Sequence, residues 1–338
     1  MNLKNSVLIL SLAASLASGC SDDKDTPIAV PHPGEEVSFD ANLGTDSRTI
    51  YGDEFADGSA FPVYWVNGDL IQVASPQCAA GANNAEYSVA VQGKNQNYAN
   101  SLDKTGERGV QWGSETMASF FSVYPGSRNM TIEGNTARAE MYIDPAQLAG
   151  FHATATHRPG MFDMEVDMQY AIMYAQTPGV WAGETVNLRF IPYSTVIEFE
   201  VAIDDALAAS DVVYVHNITL TAPEGTLIAG DFTLTFDPEG KTAPAVTATS
   251  GSNSITLTTF RYSSSSSGGG NSIMLDDTNE MMQAKMFLIP NGATIDGNWS
   301  VTLRTSGGTY VKTLGDVVNG RLVPGQIHKI KLPVLHHA

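Results

Sequence analysis

Thr195-Val196-Ile197-Glu198-Phe199-Glu200-Val201 decides the fold class. Ile197, Phe199 and Val201 recur at every second position, and Glu198 and Glu200 fall between them. Side chains of an extended strand alternate between faces, so this period builds a strand with one apolar face, whereas a helix needs a period near 3.6. The same alternation runs through Asp231-Phe232-Thr233-Leu234-Thr235-Phe236 and from Trp299 to Leu303. Lys285-Met286-Phe287-Leu288-Ile289 is continuously apolar after its Lys and stops at Pro290, as suits a strand covered on both faces.

Turn chemistry punctuates these runs. Asn67-Gly68 stands between Val63–Val66 and Leu70–Val73, Gly307-Gly308 between Trp299–Arg304 and Tyr310–Leu314, and Asn319-Gly320 follows. Such dipeptides accept positive φ at little cost, which two-residue hairpin loops require. Only Asp204-Asp205-Ala206-Leu207-Ala208-Ala209 reads as a short helix. Many short strands with frequent turn signals predict an all-β chain of β-sandwiches. The length of 338 residues suits two domains. Thr177-Pro178-Gly179-Val180-Trp181-Ala182-Gly183-Glu184 is the best-punctuated boundary, giving sandwiches over 36–180 and 184–335. Ser263 to Gly270 reads as a loop insertion within the second.

The first 25 residues carry an address. Lys4 precedes an apolar run from Val7 to Ala17, and Leu16-Ala17-Ser18-Gly19-Cys20 closes it. That run is too short to cross ~30 Å of hydrocarbon, which takes ~20 residues, so 1–19 reads as a removable secretory signal. Cys20 at the cleavage point looks like the acylated Cys of a bacterial lipoprotein, although Ala17 stands where Leu is usual. An ordinary secreted protein with an incidental Cys20 is the plainer reading. Ser21, Asp22, Asp23 and Asp25 resemble the signal that carries Bacteroidetes lipoproteins to the outer face of the outer membrane; a solvated charge run is the plainer account. Residues 20–35, with Pro27, Pro31 and Pro33, form an acidic tether, roughly 45 Å long if extended as polyproline II.

Composition excludes more than it assigns. The formal net charge is −18 and no basic patch offsets it, so nucleic acid is excluded as a partner. The seven His show no metal-ligand spacing, and no nucleophile elbow, P-loop or dinucleotide fingerprint occurs. Cys78 reads as a passive small residue, with no neighbouring His to activate it. Glu165 with Asp167, and Asp276-Asp277-Thr278-Asn279-Glu280, read as solvent-facing acids more readily than as a catalytic pair or a Ca²⁺ loop. The expectation is no enzyme, with no catalytic residue, metal or cofactor. Trp65, Trp112, Trp181 and Trp299 are too scattered to define a glycan platform.

Several ordered blocks then resemble the fimbrillin family, the Mfa-like proteins of Bacteroidales type V pili. They are Glu36-Val37-Ser38-Phe39, Ser47-Arg48-Thr49, Tyr64 to Val73, Ser119 to Pro125, Val186 to Phe190, Leu288 to Gly292 and Leu322 to Ile330. The resemblance implies two transthyretin-like β-sandwiches and a structural, adhesin-type role at the outer membrane or in a fimbrium. It implies partners as well: other subunits joined by strand exchange, membrane lipid through Cys20, and surface ligands of a host or another bacterium. In that family a protease cuts after an Arg, the first strand leaves, and a strand from another subunit fills the groove. Arg48, with Thr49 as the new terminus, is the candidate cut; an ordinary loop Arg is the alternative. Ile330, Leu332 and Val334 alternate as a final strand should, but no spare donor segment follows them. The competing functional class is a glycan-binding lipoprotein of a polysaccharide-uptake system, whose Trp residues should line an exposed platform.

Overall fold

The structure is a computed structural model, and it describes residues 32–43, 64–93, 96–126, 129–152, 161–166, 168–203, 212–262, 272–276, 280–315 and 320–332. Strands dominate them, and the regular helical structure among them is the 3-10 turn Met168–Tyr170. The expected helix at Asp204–Ala209 lies outside the described residues.

Eight strands form the first sheet: Tyr98–Ala99, Phe39–Leu43, Val186–Pro192, Met173–Trp181, Met117–Tyr124, Leu70–Ala74, Asn84–Val89 and Leu102–Lys104, in that lateral order. The two end strands are consecutive in the chain, joined through Asn100-Ser101. One bent segment, 98–104, therefore pairs with Phe39–Leu43 on one side and Asn84–Val89 on the other, closing the sheet into a ring. Edge-to-face aromatic contacts fill it: Phe39 with Tyr87 at 5.1 Å, Trp65 with Phe190 at 5.2 Å, and Trp112 with Phe120 at 5.4 Å between centroids.

The remaining strands build a sandwich around a second core. A four-stranded sheet orders Met161–Asp163, Met281–Leu288, Thr195–Ala202 and Ile327–Lys331. A seven-stranded sheet is centred on Val213–Thr221 between Ser254–Tyr262 and Ser300–Thr305. A further four-stranded sheet runs Ala245–Ser252, Ala229–Thr235, Thr136–Ile143 and Met130–Glu133. Ile197, Phe199 and Val201 are fully buried in this core, as their alternation demands. The run 285–289 is buried throughout, Lys285 included. Gly308 closes the two-residue loop Ser306-Gly307, with Thr305 opposite Gly308.

Three local readings change. Pro178-Gly179 lies inside Met173–Trp181, where the register with Met117–Tyr124 shifts between Thr177 and Val180. A bulge with Gly179 at φ 68° uses the same residues that a linker would. Strands also pair across 180–184 in both directions. Val186–Pro192 lies in the ring beside Phe39–Leu43, while Thr136–Ile143 pairs with Ala229–Thr235 and Ala146–His152 with Ser254–Tyr262. Asn67-Gly68 does turn, with Gly68 at φ 94°, but its flanks do not form a hairpin. Trp65 bridges Gln96, and Leu70–Ala74 pairs with Asn84–Val89.

Candidate functional site

Phe39–Leu43 is the first described strand, and its sequence explains its place. Val37, Phe39, Ala41 and Leu43 point inward and are each at most 5% exposed. Burying Val, Phe and Leu side chains yields roughly 1.5–3 kcal/mol each, so the strand is held chiefly as a row of core plugs. Its backbone pairs parallel to Val186–Phe190, from Phe39 opposite Val186 to Leu43 opposite Phe190. On its other side Ala41 and Asn42 pair with Ala99 and Tyr98.

The outward side chains of this strand and its lead-in make three polar contacts. Asn42 Nδ2 donates to Asn187 Oδ1 at 2.6 Å, Tyr98 Oη donates to Asp40 Oδ2 at 2.7 Å, and Lys104 Nζ pairs with Glu36 Oε1. The hydrogen bond from Lys104 holds the Glu36 carboxyl below its usual range, and the bond to Asp40 holds the Tyr98 phenol above its own. Exposed contacts of this kind contribute little to stability, so they set register more than they anchor. Sequence reading named Glu36 only within a family-like block and gave none of Glu36, Asp40, Asn42, Tyr98 and Lys104 a contact, because pairs so far apart leave no local signal.

The C-terminal strand Ile327–Lys331 runs parallel to Thr195–Ala202 at the edge of its sheet. His328, Ile330 and Leu332 are buried by it. Glu198, the outward acid of the opening heptapeptide, is 2% exposed. It stands in register between Lys285 and Lys329, with ion-pair distances of 3.2 and 3.7 Å. Lys331 reaches Glu200 at 3.0 Å. Burial pushes the His328 imidazole below its ordinary pKa, and burial pushes the Cys78 thiol up to about 11. A thiol so raised is protonated at neutral pH and a poor nucleophile.

Cys20, Ser21, Asp22, Asp23, Asp25, Arg48 and Thr49 lie outside the described residues. Trp65, Trp112 and Trp299 are core residues at 3%, 2% and 1% exposure, and Trp181 alone is exposed, at 46%. Three of four Trp are therefore spent on packing, not on a platform.

No protein-family model matches the chain, and no curated protein matches it. Solved structures do. A proposed cell adhesion protein from Bacteroides ovatus superposes with a TM-score of 0.50 at 12% identity, over 89% of this chain and 92% of that one. A second proposed cell adhesion protein, from Bacteroides uniformis, gives 0.48 at 15% identity over 88% and 92%. A fimbrial protein from Bacteroides vulgatus gives 0.41 at 12% identity over 88% and 95%. The Bacteroides ovatus protein shares the fold along nearly the whole of both chains.

Proposed function

We propose that this chain is a surface-displayed adhesin or fimbrial subunit, anchored through an acylated Cys20, that accepts a strand from another subunit after its own first strand is removed. The observation that carries this reading is the position of Phe39–Leu43. It is a full member of the ring, paired on both sides and plugging the core with alternate side chains, yet it lies at the N-terminal end of the described chain with Arg48 just beyond it. A cut after Arg48 would free 20–48 with the lipid. It would expose the pairing edge of Val186–Pro192 and vacate the sites of Val37, Phe39, Ala41 and Leu43. A strand of matching alternation refills both at once, which is β-augmentation into a preformed groove.

The C-terminal strand is committed to its own sheet by a five-residue parallel ladder and two Lys–Glu contacts. A subunit so built receives a strand without giving this one, which suits the end of a fibre. The deciding experiment treats purified precursor with an Arg-specific protease. A stable fragment beginning at Thr49, which takes up an added peptide spanning residues 36–43 at the vacated edge, is the expected outcome. Cleavage elsewhere, or a Thr49 fragment that binds no such strand peptide, would count against the reading.

A further inference from the structure

The ring is incomplete at one point. Phe39–Leu43 and segment 98–104 pair antiparallel at Ala41–Ala99 and Asn42–Tyr98, and there the ladder stops. In the same register Phe39 would face Ser101 and Glu36 would face Lys104. The side chains of that last pair do meet, while the backbones between have parted because Leu102–Lys104 turns away to join Tyr87–Val89. The gap is a groove of about 530 Å³ whose walls include Glu36, Ser38, Asn100, Asp103, Lys104 and Thr185, with Phe39 and Tyr87 beneath.

We infer that this groove is a binding subsite for a neutral saccharide. Its volume falls within the ~300–1,000 Å³ of small-ligand sites. Its chemistry is that of a polyol's counterpart: the Asn100 amide, the hydroxyls of Ser38, Ser101 and Thr185, and the Asp103 carboxylate, each able to exchange hydrogen bonds with ring hydroxyls. Glu36 and Lys104 neutralise each other, so Asp103 leaves the groove net negative in a chain already at −18. That balance rejects phosphate, sulfate and sialic acid carboxylate. The Lys104 ammonium paired with Glu36 opposes a divalent cation there. Parted strands also leave Phe39 and Ser101 lining the groove where a ladder pair would have formed.

This assignment deepens the adhesin side of the proposed function by naming a ligand class, and it rests on that side alone. Glu36 and Ser38 belong to the lead-in of the removable strand, so the groove exists only while that strand is seated. A ligand bound there stabilises the seated strand by mass action, with about a hundredfold smaller released fraction at a free concentration near 100 Kd.

The test uses the uncut full chain in detergent, applied to a glycan array bearing neutral, sialylated and sulfated oligosaccharides, with CaCl₂ alone titrated by calorimetry. Neutral glycans should be retained, and Asn100→Ala and Asp103→Ala should each weaken binding about tenfold or more. Both residues are exposed, so melting by circular dichroism should not change. The inference is overturned by retention of acidic glycans only, by no retention at all, or by binding that survives both variants. It is equally overturned by a calcium heat that Asp103→Ala abolishes. None of those results touches strand exchange, which the protease experiment decides separately.

Discussion

Gln147 gives Phe287 both hydrogen bonds that a neighbouring strand would make. Its Nε2 donates to the Phe287 carbonyl at 2.8 Å, and its Oε1 accepts from the Phe287 N–H at 2.9 Å. A primary amide carries the donor and acceptor of a peptide group, so one side chain can stand in for a strand. Gln147 belongs to Ala146–His152 in the seven-stranded sheet and Phe287 to Met281–Leu288 in a four-stranded one, so the pair joins the two sheets. Gln147 is 2% exposed, and water is not at hand to replace it.

Gln147→Leu should therefore leave a buried N–H and a buried carbonyl unpaired, at about 1–3 kcal/mol each. Urea unfolding should show a lower midpoint at unchanged slope. A loss under about 0.5 kcal/mol would mean that the sheets are held by apolar packing alone.

The Glu198–Lys285 pair invites a double-mutant cycle. Lys285→Met alone should cost about 3–5 kcal/mol, because it leaves the buried carboxylate with only the longer contact to the half-exposed Lys329. Adding Glu198→Leu should recover most of that loss, since paired charges replaced by apolar groups of similar size are often neutral. The coupling energy from denaturant titration of the four proteins is the check.

His328 makes the C-terminal strand sensitive to acid. Its folded pKa lies below the unfolded value of about 6.5, chiefly from burial, so the unfolded chain binds more protons in that range. Stability from this group is fully present above about 6.5 and declines as pH falls toward the folded pKa. His328→Phe should flatten the urea-midpoint profile between about pH 7 and 5 relative to the parent. Parallel profiles would exclude a role for His328.

Ala41 is fully buried at the centre of the first strand, so Ala41→Asp should unseat it by placing an unpaired charge in the ring. Cleavage after Arg48 should accelerate about tenfold or more if closure of the strand limits access. Near-UV circular dichroism of the second core should stay unchanged, which separates local opening from global unfolding.

The strands of the second core were legible from their apolar residues. The alternation at 195–201 marks the buried Ile197, Phe199 and Val201, and the apolar run at 285–289 marks a strand buried on both faces. Glu198 was not legible: it alternates like a solvent-facing residue, and its burial depends on what the folded chain lays over that face. Pro178-Gly179 misleads for a related reason, since a bulge and a linker use the same residues. The groove was hidden altogether, because Glu36 and Lys104 meet through a register set by Ala41 and Ala99. Pairing between distant strands is a property of the fold, and local period carries no record of it.

Ring closure through Asn100-Ser101 has a topological consequence. Elsewhere in the ring neighbouring strands are joined by hydrogen bonds, which break and re-form thermally. Between its two ends the joint is the covalent chain itself, the bent segment 98–104. Cutting the single peptide bond between Asn100 and Ser101, both exposed, would thus unlink the circuit while severing no strand. Continuity of the backbone there does the work of a ladder, at a place that no sequence pattern marks.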